Sequence, residues 1–340
     1  MTDWRQTPVV PFPITEHASA AELARRLART GFQGRMVGEA VEVWDAMLRG
    51  DVTIFLGLAG AMVPVGMRQV ITYLIQQRLV DCLVSTGANL YHDLYESLGH
   101  PHWQTTPEAD DVQLARQGLY RFYDILASER EFDVGEGFIT EFSLGLDESK
   151  AYTTREYFYL LGQALAATAT EEGILTAAAK AGVPIYCPAL GDSAHGLAIA
   201  EGRARSGHRV TFDIIGDVLE MAQIVLEANK TGVVYIGGGT PKNFIQQAGV
   251  SAYLYQQERP GHSYGIQITT DQPQWGGLSG ATFQEAQSWH KIAPDARFVT
   301  VNVEASVALP LIVSALAEGS ADAIKSRKRC AFAFGRVPGA

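Results

Sequence analysis

Gly232-Val233-Val234-Tyr235-Ile236-Gly237-Gly238-Gly239-Thr240-Pro241-Lys242 is the stretch whose reading decides the fold. Val233 to Ile236 is a short run of β-branched and aromatic side chains with no polar alternation. That is the pattern of a strand buried on both faces. Three glycines end it, and Thr240-Pro241 follows as the expected N-cap and first position of a helix. Strand, glycine turn and helix make one step of a parallel α/β sheet.

The same step recurs along the chain. Val52-Thr53-Ile54-Phe55-Leu56-Gly57 reads as a buried strand ending in glycine, and Leu79 to Gly87 as a second. Asn89 is the expected cap of the helix that follows, to about Leu98. Further strands are expected at Val183–Pro188, Tyr264–Thr270 and Arg297–Val303. Helices are expected over Ala18–Ala28, Phe32–Arg49, Met67–Gln77, Tyr152–Thr168, Ile174–Ala181, Val210–Asn229 and Ser306–Ala317. Residues 100–148 read as irregular, with one helix from Asp111 to Glu129. The predicted class is α/β: a mostly parallel sheet with helices on both faces, forming a single domain over residues 18–320. A proline-bearing arm (1–17) precedes it. A tail (321–340) follows, and its basic run Lys325–Arg329 reads as solvated. Ligands of such sheets bind at the carboxyl ends of the strands.

Composition narrows the function. The 340 residues carry 37 acids and 27 bases, a net charge of -10. That balance argues against nucleic acid or an anionic membrane as the main partner. No apolar run approaches the ~18 residues of a membrane span, and residues 1–15 lack a signal-peptide core. Cys82, Cys187 and Cys330 form no CxxC pair, so neither a zinc site nor a disulfide framework is indicated. A reducing cytoplasm is the simplest setting.

A second glycine-rich stretch, Gly276-Gly277-Leu278-Ser279-Gly280, leads into Thr282, Glu285, Trp289 and Lys291. Thr282 and Glu285 form a capping box, which starts a helix near Phe283. Glu285 and Trp289 share a face of that helix. Lys291 leaves that face unless the helix ends, and Ile292-Ala293-Pro294 predicts an end, because the residue before proline disfavours helical angles. A lysine beside a tryptophan wall and a carboxylate is what amine chemistry needs. The alternative is an ordinary solvated lysine at a helix C-terminus.

Other motifs stay open at this level. Gly237 to Lys242 is neither G-x-G-x-x-G nor a Walker A loop, and serves either a phosphate or a tight turn. Asp192 and Glu304 each follow a strand, placed to bond a ribose hydroxyl or cap the next helix. His92, His100 and His102 surround Asp93 but read as loop histidines rather than metal ligands. Ser193 and Ser279 lack a nucleophile-elbow context, against serine hydrolysis.

Taken together, several of these segments resemble one family. Thr53 to Gly57, Val84-Ser85-Thr86-Gly87-Ala88-Asn89, Cys187-Pro188-Ala189-Leu190, Ile236 to Gly239, Ser279-Gly280-Ala281, Glu285 to Ile292 and Glu304-Ala305-Ser306 resemble deoxyhypusine synthase motifs in the same order. The likeness spans roughly residues 30–320. It implies a Rossmann-like fold and a homotetramer with sites at dimer interfaces. It also implies NAD-dependent transfer of an aminobutyl unit from spermidine through a lysine Schiff base. The acceptor is a lysine of translation initiation factor 5A or, in related homospermidine synthases, putrescine. By this resemblance Lys291 is the Schiff-base lysine and Glu285 a catalytic carboxylate. Trp289, Asn243 and His195 fall at substrate-binding positions. Thr86, Asp192, Gly237, Gly238, Gly239, Thr270, Ser279 and Glu304 fall at NAD-contacting positions. The chain departs from the family pattern where Leu197 and Leu278 stand for polyamine-binding aspartates and Asn243 for a histidine. Gly60-Ala61, Pro64 and His92 likewise replace polar residues or an acid of the NAD pocket. The implied partner is a small amine carrying fewer charges than spermidine. A binding protein that keeps the fold without turnover is the competing expectation.

Overall fold

The computed structural model describes residues 7–334. The first half of the chain runs α1 (Ala20–Leu27), α2 (Phe32–Arg49), β1 (Val52–Leu58), α3 (Arg68–Gln76), β2 (Cys82–Ser85), α4 (Gly87–Ser97), β3 (Trp103–Gln104), α5 (Asp111–Arg116), β4 (Leu119–Phe122), β5 (Ile125–Ser128) and α6 (Glu129–Leu144). It continues through β6 (Ala151–Tyr152), α7 (Thr154–Leu165), α8 (Ile174–Ala181), β7 (Ile185–Tyr186), α9 (Ala194–Ser206), β8 (Thr211–Phe212), α10 (Ile214–Glu227) and β9 (Lys230–Ile236). The last part is α11 (Gly239–Ala248), β10 (His262–Ile268), α12 (Phe283–Ser288), β11 (Ile292–Val301), α13 (Ala305–Gly319) and α14 (Ala321–Ser326).

Six strands form one sheet in the order β11-β10-β9-β1-β2-β7. Every pairing in it is parallel. The alternation along each strand explains the two helical layers. In β1, Ile54, Leu56 and Leu58 enter one core with Trp44 and Met47 of α2, Ile71 of α3 and Leu309 of α13. Phe55 between them enters the other core, with Met221 of α10, Ile245 of α11 and Phe283 of α12. In β9, Val234 and Ile236 join the first core, Val233 and Tyr235 the second. A period of two is what puts successive side chains on opposite faces. The expected mostly parallel sheet with helices on both faces is therefore observed.

The sheet order reverses between β1 and β9. Ala59 N donates to Ile236 O (3.0 Å), so the two carboxyl ends are tied where the chain direction switches. That switch point is where an open α/β sheet leaves a crevice for a ligand.

Four expectations need correction. Residues 100–148, expected to be irregular around one helix over 111–129, instead hold two helices, α5 and the 16-residue α6, and three short strands. α5 ends at Arg116, Gly118 turns the chain with φ 66°, and β4 and β5 then form a hairpin turning at Tyr123 (φ 57°). β3 joins them in a small antiparallel sheet. The aromatic and β-branched residues Tyr120, Phe122 and Ile125 favour strands, and this outweighed the loose helical spacing. Residues 210–229 are split as well. Thr211–Phe212 pairs with Ala151–Tyr152, and Asp213 caps α10 by accepting from Gly216 N (2.7 Å). Asn89 lies inside α4 rather than at its cap, which is Thr86. Its amide instead ties Gly60 O (2.7 Å) and Thr86 Oγ1 (3.1 Å) to α4.

The tail is the fourth. Lys325, Lys328 and Arg329 are exposed, but the Arg327 side chain is buried against Asp81. Its Nη2 also donates to Val52 O (2.7 Å), and Phe332 and Phe334 pack on the second core. Residues 327–334 therefore strap the amino ends of β1 and β2. Of the expected arm, residues 1–6 lie outside the described residues. Residues 7–17 contact α1 through Arg26 Nη1, which donates to Pro13 O (2.8 Å) and Thr15 Oγ1 (3.1 Å). No helix among the described residues is long and apolar enough to cross a membrane.

Candidate active site

The glycine turn after β9 is built for close approach. Gly237 and Gly239 have φ of 67° and 57°, the left-handed region that favours glycine. A Cβ on Gly238 would stand 2.4 Å from Ser279 Cα, so two backbones touch there. α11 begins at Gly239 without a side-chain cap, leaving amides at its N-terminus as a cradle for an anion. The helix thus starts one residue before the expected cap Thr240.

Around this cradle the topology gathers the expected NAD positions. Thr86 follows β2, Gly237 to Gly239 follow β9, Thr270 follows β10, Glu304 follows β11 and Asp192 follows β7. In parallel strands all of these lie along one carboxyl edge. Ser279 joins them through its contact with Gly238. Glu304 also caps α13 by accepting from Ser306 N at 2.9–3.0 Å. Asp192 is exposed and caps nothing, because Ser193 takes the N-cap of α9.

Lys291 is placed by the end of α12. The capping box is complete: Thr282 Oγ1 accepts from Glu285 N (3.0 Å), and Glu285 Oε2 accepts from Thr282 N (2.6 Å). The bond from Thr282 N, and after it one from the Thr282 hydroxyl to Oε2 (3.0 Å), hold the Glu285 carboxyl below its usual range. Its charge is therefore spent partly on its own helix. At the other end His290 takes a left-handed conformation (φ 57°), and Lys291 N donates back to Ala286 O (3.0 Å). That reversal ends the helix. It swings Lys291 round so that Nζ lies 5.5 Å from the Trp289 ring centroid. The expected break before Pro294 is thus observed, and β11 begins directly at Ile292.

Lys291 is half-buried, and desolvation lowers its ammonium pKa. Among the described residues no carboxylate lies within ion-pair distance of it. Its hydrogen-bond partner is Asn243 Oδ1 (3.4 Å) on α11, about one helical turn (~6 Å) below Gly239. The lysine wall and the glycine cradle are therefore joined by one helix. Trp289 is 69% exposed.

The remaining expected residues are not brought to Lys291 within one chain. His195 and Leu197 sit on α9, after β7, at the opposite edge of the sheet from β11. Five interstrand steps of ~4.8 Å make roughly 24 Å between those edges. Leu197 is 66% exposed there, and Leu278 is exposed in the second glycine loop. His195 is fully buried among the rings of Tyr91, Tyr157 and Phe158, with no well-formed hydrogen-bond partner among the described residues. Burial pushes its pKa down to about 3. A folded pKa below the unfolded value of about 6.5 means stability is full above ~6.5 and is lost as pH falls toward 3. His195→Phe should therefore raise the melting temperature relative to the parent by more at pH 5 than at pH 8. Unchanged amine affinity in the variant fits the buried placement; a large loss would return His195 to the substrate site.

His92 is also buried, inside α4 rather than in a loop. Its Nδ1 lies 3.0 Å from His102 Nε2, and His102 Nδ1 lies 2.7 Å from Glu96. Among the described residues no group of three His, Cys, Asp or Glu side chains is arranged to hold a metal ion.

Two residues escaped the sequence reading. Lys242 and Gln267 are both buried beneath the two glycine turns. The available signal was a glutamine between Ile266 and Ile268 at the buried carboxyl end of β10, since buried polar groups need a reason to be there.

The deoxyhypusine synthase family model matches residues 22–316. A Methanosarcina acetivorans protein named "Probable deoxyhypusine synthase 2" is 47% identical over 317 residues, covering 93% of this chain and 91% of its own. An Archaeoglobus fulgidus protein of the same name is 45% identical over 291 residues, covering 85% and 95%. A solved structure from Entamoeba histolytica assigned to deoxyhypusine synthase aligns with a TM-score of 0.62 at 24% identity, over 86% of this chain and 91% of that one. At that identity it speaks for the fold alone. With a matched model over most of its length and relatives this similar, the chain belongs to the deoxyhypusine synthase family.

Proposed function

We propose that this chain is an NAD-dependent aminoalkyl transferase that carries its group on Lys291 as a Schiff base. The observation that carries the reading is the state of Lys291: half-buried, free of any carboxylate partner among the described residues, and set beside Trp289 and Asn243. A lysine acting as a nucleophile must lose its proton, and desolvation without an anion is what favours that. A plain surface lysine would be solvated and keep its pKa.

The cradle fits a dinucleotide. Glycines admit backbone where a Cβ would collide, the first α11 amides have no side-chain cap, and Glu304 and Asp192 stand on the same edge for ribose hydroxyls. Bound NAD would supply the hydride acceptor for amine oxidation. In this reading Lys291 attacks the resulting imine carbon, expels the departing amine and holds the alkyl unit until an acceptor amine displaces it as a new imine, which the hydride taken from the donor would then reduce, so that no net oxidation remains. Trp289 lines the path and attracts the substrate cation. Asn243 orients Nζ through its carbonyl oxygen.

Leucine at 197 and 278 leaves fewer acids to pair ammonium groups, and a buried unpaired ammonium is costly. The proposed donor is accordingly an amine with fewer charges than spermidine. Homospermidine synthesis, with putrescine as acceptor, is the preferred small-molecule version. The separation of Leu197 and His195 from Lys291 supports a second proposal: a homotetramer in which a partner copy brings the α9 region to this Lys291. Exposed Trp275, Leu278 and Trp289 around the site are in keeping with a covered surface.

The same leucines favour a runner-up, a binding protein retaining the fold without turnover. Borohydride trapping separates the two. The protein is incubated with NAD and a panel of polyamines and guanidino amines, reduced and digested, and the Lys291 peptide is weighed. A mass addition on that peptide is expected, its size naming the transferred group. No adduct with any amine, alongside measurable NAD binding, would leave the binder or a plain amine dehydrogenase, which absorbance of released NADH tells apart.

A further inference from the structure

Gln267 uses its whole carboxamide, although it sits 2% exposed near the carboxyl end of β10. Nε2 donates to Gly237 O (2.9 Å) and Ser279 O (2.7 Å), one carbonyl from each glycine turn. Oε1 accepts from Lys242 Nζ (2.9 Å). Lys242, on the first turn of α11, is 1% exposed and donates a second bond to Ala281 O (2.5 Å). A lysine side chain has hydrogens to give and, when charged, nothing to accept with. It therefore fixes which end of the Gln267 carboxamide faces the two turns.

We propose that Lys242 and Gln267 form a clamp that couples the glycine cradle to the Lys291 wall, with Lys242 as a positioning residue. The link to the wall is short. Ala281 directly precedes Thr282, the N-cap of α12, so the bond from Lys242 sets where that helix starts. The far end of α12 sets Trp289 and Lys291. On the other side Asn243, the next residue after Lys242, meets Lys291 Nζ. The Gly238–Ser279 backbone contact leaves no room for the turns to shift without breaking the clamp.

Burial lowers the Lys242 pKa to about 8, against the charges of Glu285 and Asp271, which act to raise it. The Tyr235 ring, 6.0 Å from Nζ, closes the remaining side. Deprotonation does not open the clamp, because a neutral amine still has two N–H groups for its two acceptors. The device is therefore a fixed brace rather than a pH gate.

The role of the clamp in catalysis rests on the transferase reading; the clamp itself is open to test without it. Amide hydrogen exchange should be measured on the full chain for Lys242→Met, Gln267→Leu and the double variant. Each single change should speed exchange over residues 237–242 and 279–286 by at least about tenfold, leaving β1 and β2 at parental rates. NAD dissociation constants should weaken by about tenfold in each single variant, and the double should be within about twofold of the worse single, because the two residues act as a unit. Lys242→Gln, which retains an N–H donor, should be intermediate and serves if Lys242→Met does not fold. Parental exchange in both turns would overturn the clamp. So would single effects that multiply in the double variant, or faster exchange spread over the whole sheet with NAD affinity unchanged. A parent that binds no NAD while the exchange results hold would sink the transferase reading and leave the clamp standing.

Discussion

Lys291→Ala is expected to lower turnover by at least about 10⁴-fold, because no neighbouring group can replace a covalent nucleophile. NAD affinity should change by less than about threefold, since among the described residues the Lys291 side chain bonds Asn243 and no residue of the glycine turns. The adduct seen by borohydride trapping should vanish in the same variant. Lys291→Arg should be equally inactive, as a guanidinium stays protonated and cannot form an imine. In the parent, the single-turnover rate of imine capture should rise with pH through the Lys291 pKa, which lies below 10.5, since the neutral amine attacks. Residual turnover within about tenfold of the parent would place the chemistry elsewhere. Loss of turnover together with loss of amine affinity would instead describe a binding lysine.

Arg327→Met carries the largest expected effect on stability. Arg327 and Asp81 are 4% and 0% exposed, with Nη1 donating to Asp81 Oδ1 at 3.1 Å. Asp81 Oδ2 also accepts from Ile54 N (2.9 Å), so the pair fastens the C-terminal strap to β1. Removing one partner of a buried ion pair leaves the other charge uncompensated, at a cost of about 3–5 kcal/mol. For a chain of this length that corresponds to a melting temperature lower by roughly 4–7 °C. Adding Asp81→Leu should recover part of the loss by removing the uncompensated carboxylate, but not all of it, because Ile54 N loses its acceptor and the buried Arg78 loses the attraction of Asp81. A shift below about 1 °C in Arg327→Met would show that the strap frays in solution and bears no load. The strap lies beyond residues 22–316, so it is an attachment of this chain outside the matched family region.

Local patterns were read well where one physical rule dominates. The β-branched runs ending in glycine at Gly57, Gly87 and Gly237 marked β1, β2 and β9, since a doubly buried strand admits little else. The capping box at Thr282 and Glu285 was legible because both partners lie within one turn. The hairpin at Leu119–Ser128 was misread because its residues carry a weak helical spacing, and only pairing between the two strands decides the matter. Arg327 was read as solvated because nothing near it in sequence announces Asp81, 246 residues away.

The site divides the same way. The sequence alone determined the α/β class, the glycine turns, the α12 cap and Lys291 as the lysine to test, because each depends on residues close along the chain. Tertiary structure decided the switch point between β1 and β9, the Lys242–Gln267 clamp and the burial of His195. It also decided the distance that separates Leu197 from Lys291 within one copy. These rest on contacts between residues tens to hundreds of positions apart. Side-chain desolvation and hydrogen-bond geometry are properties of that packed arrangement, and no local pattern encodes them.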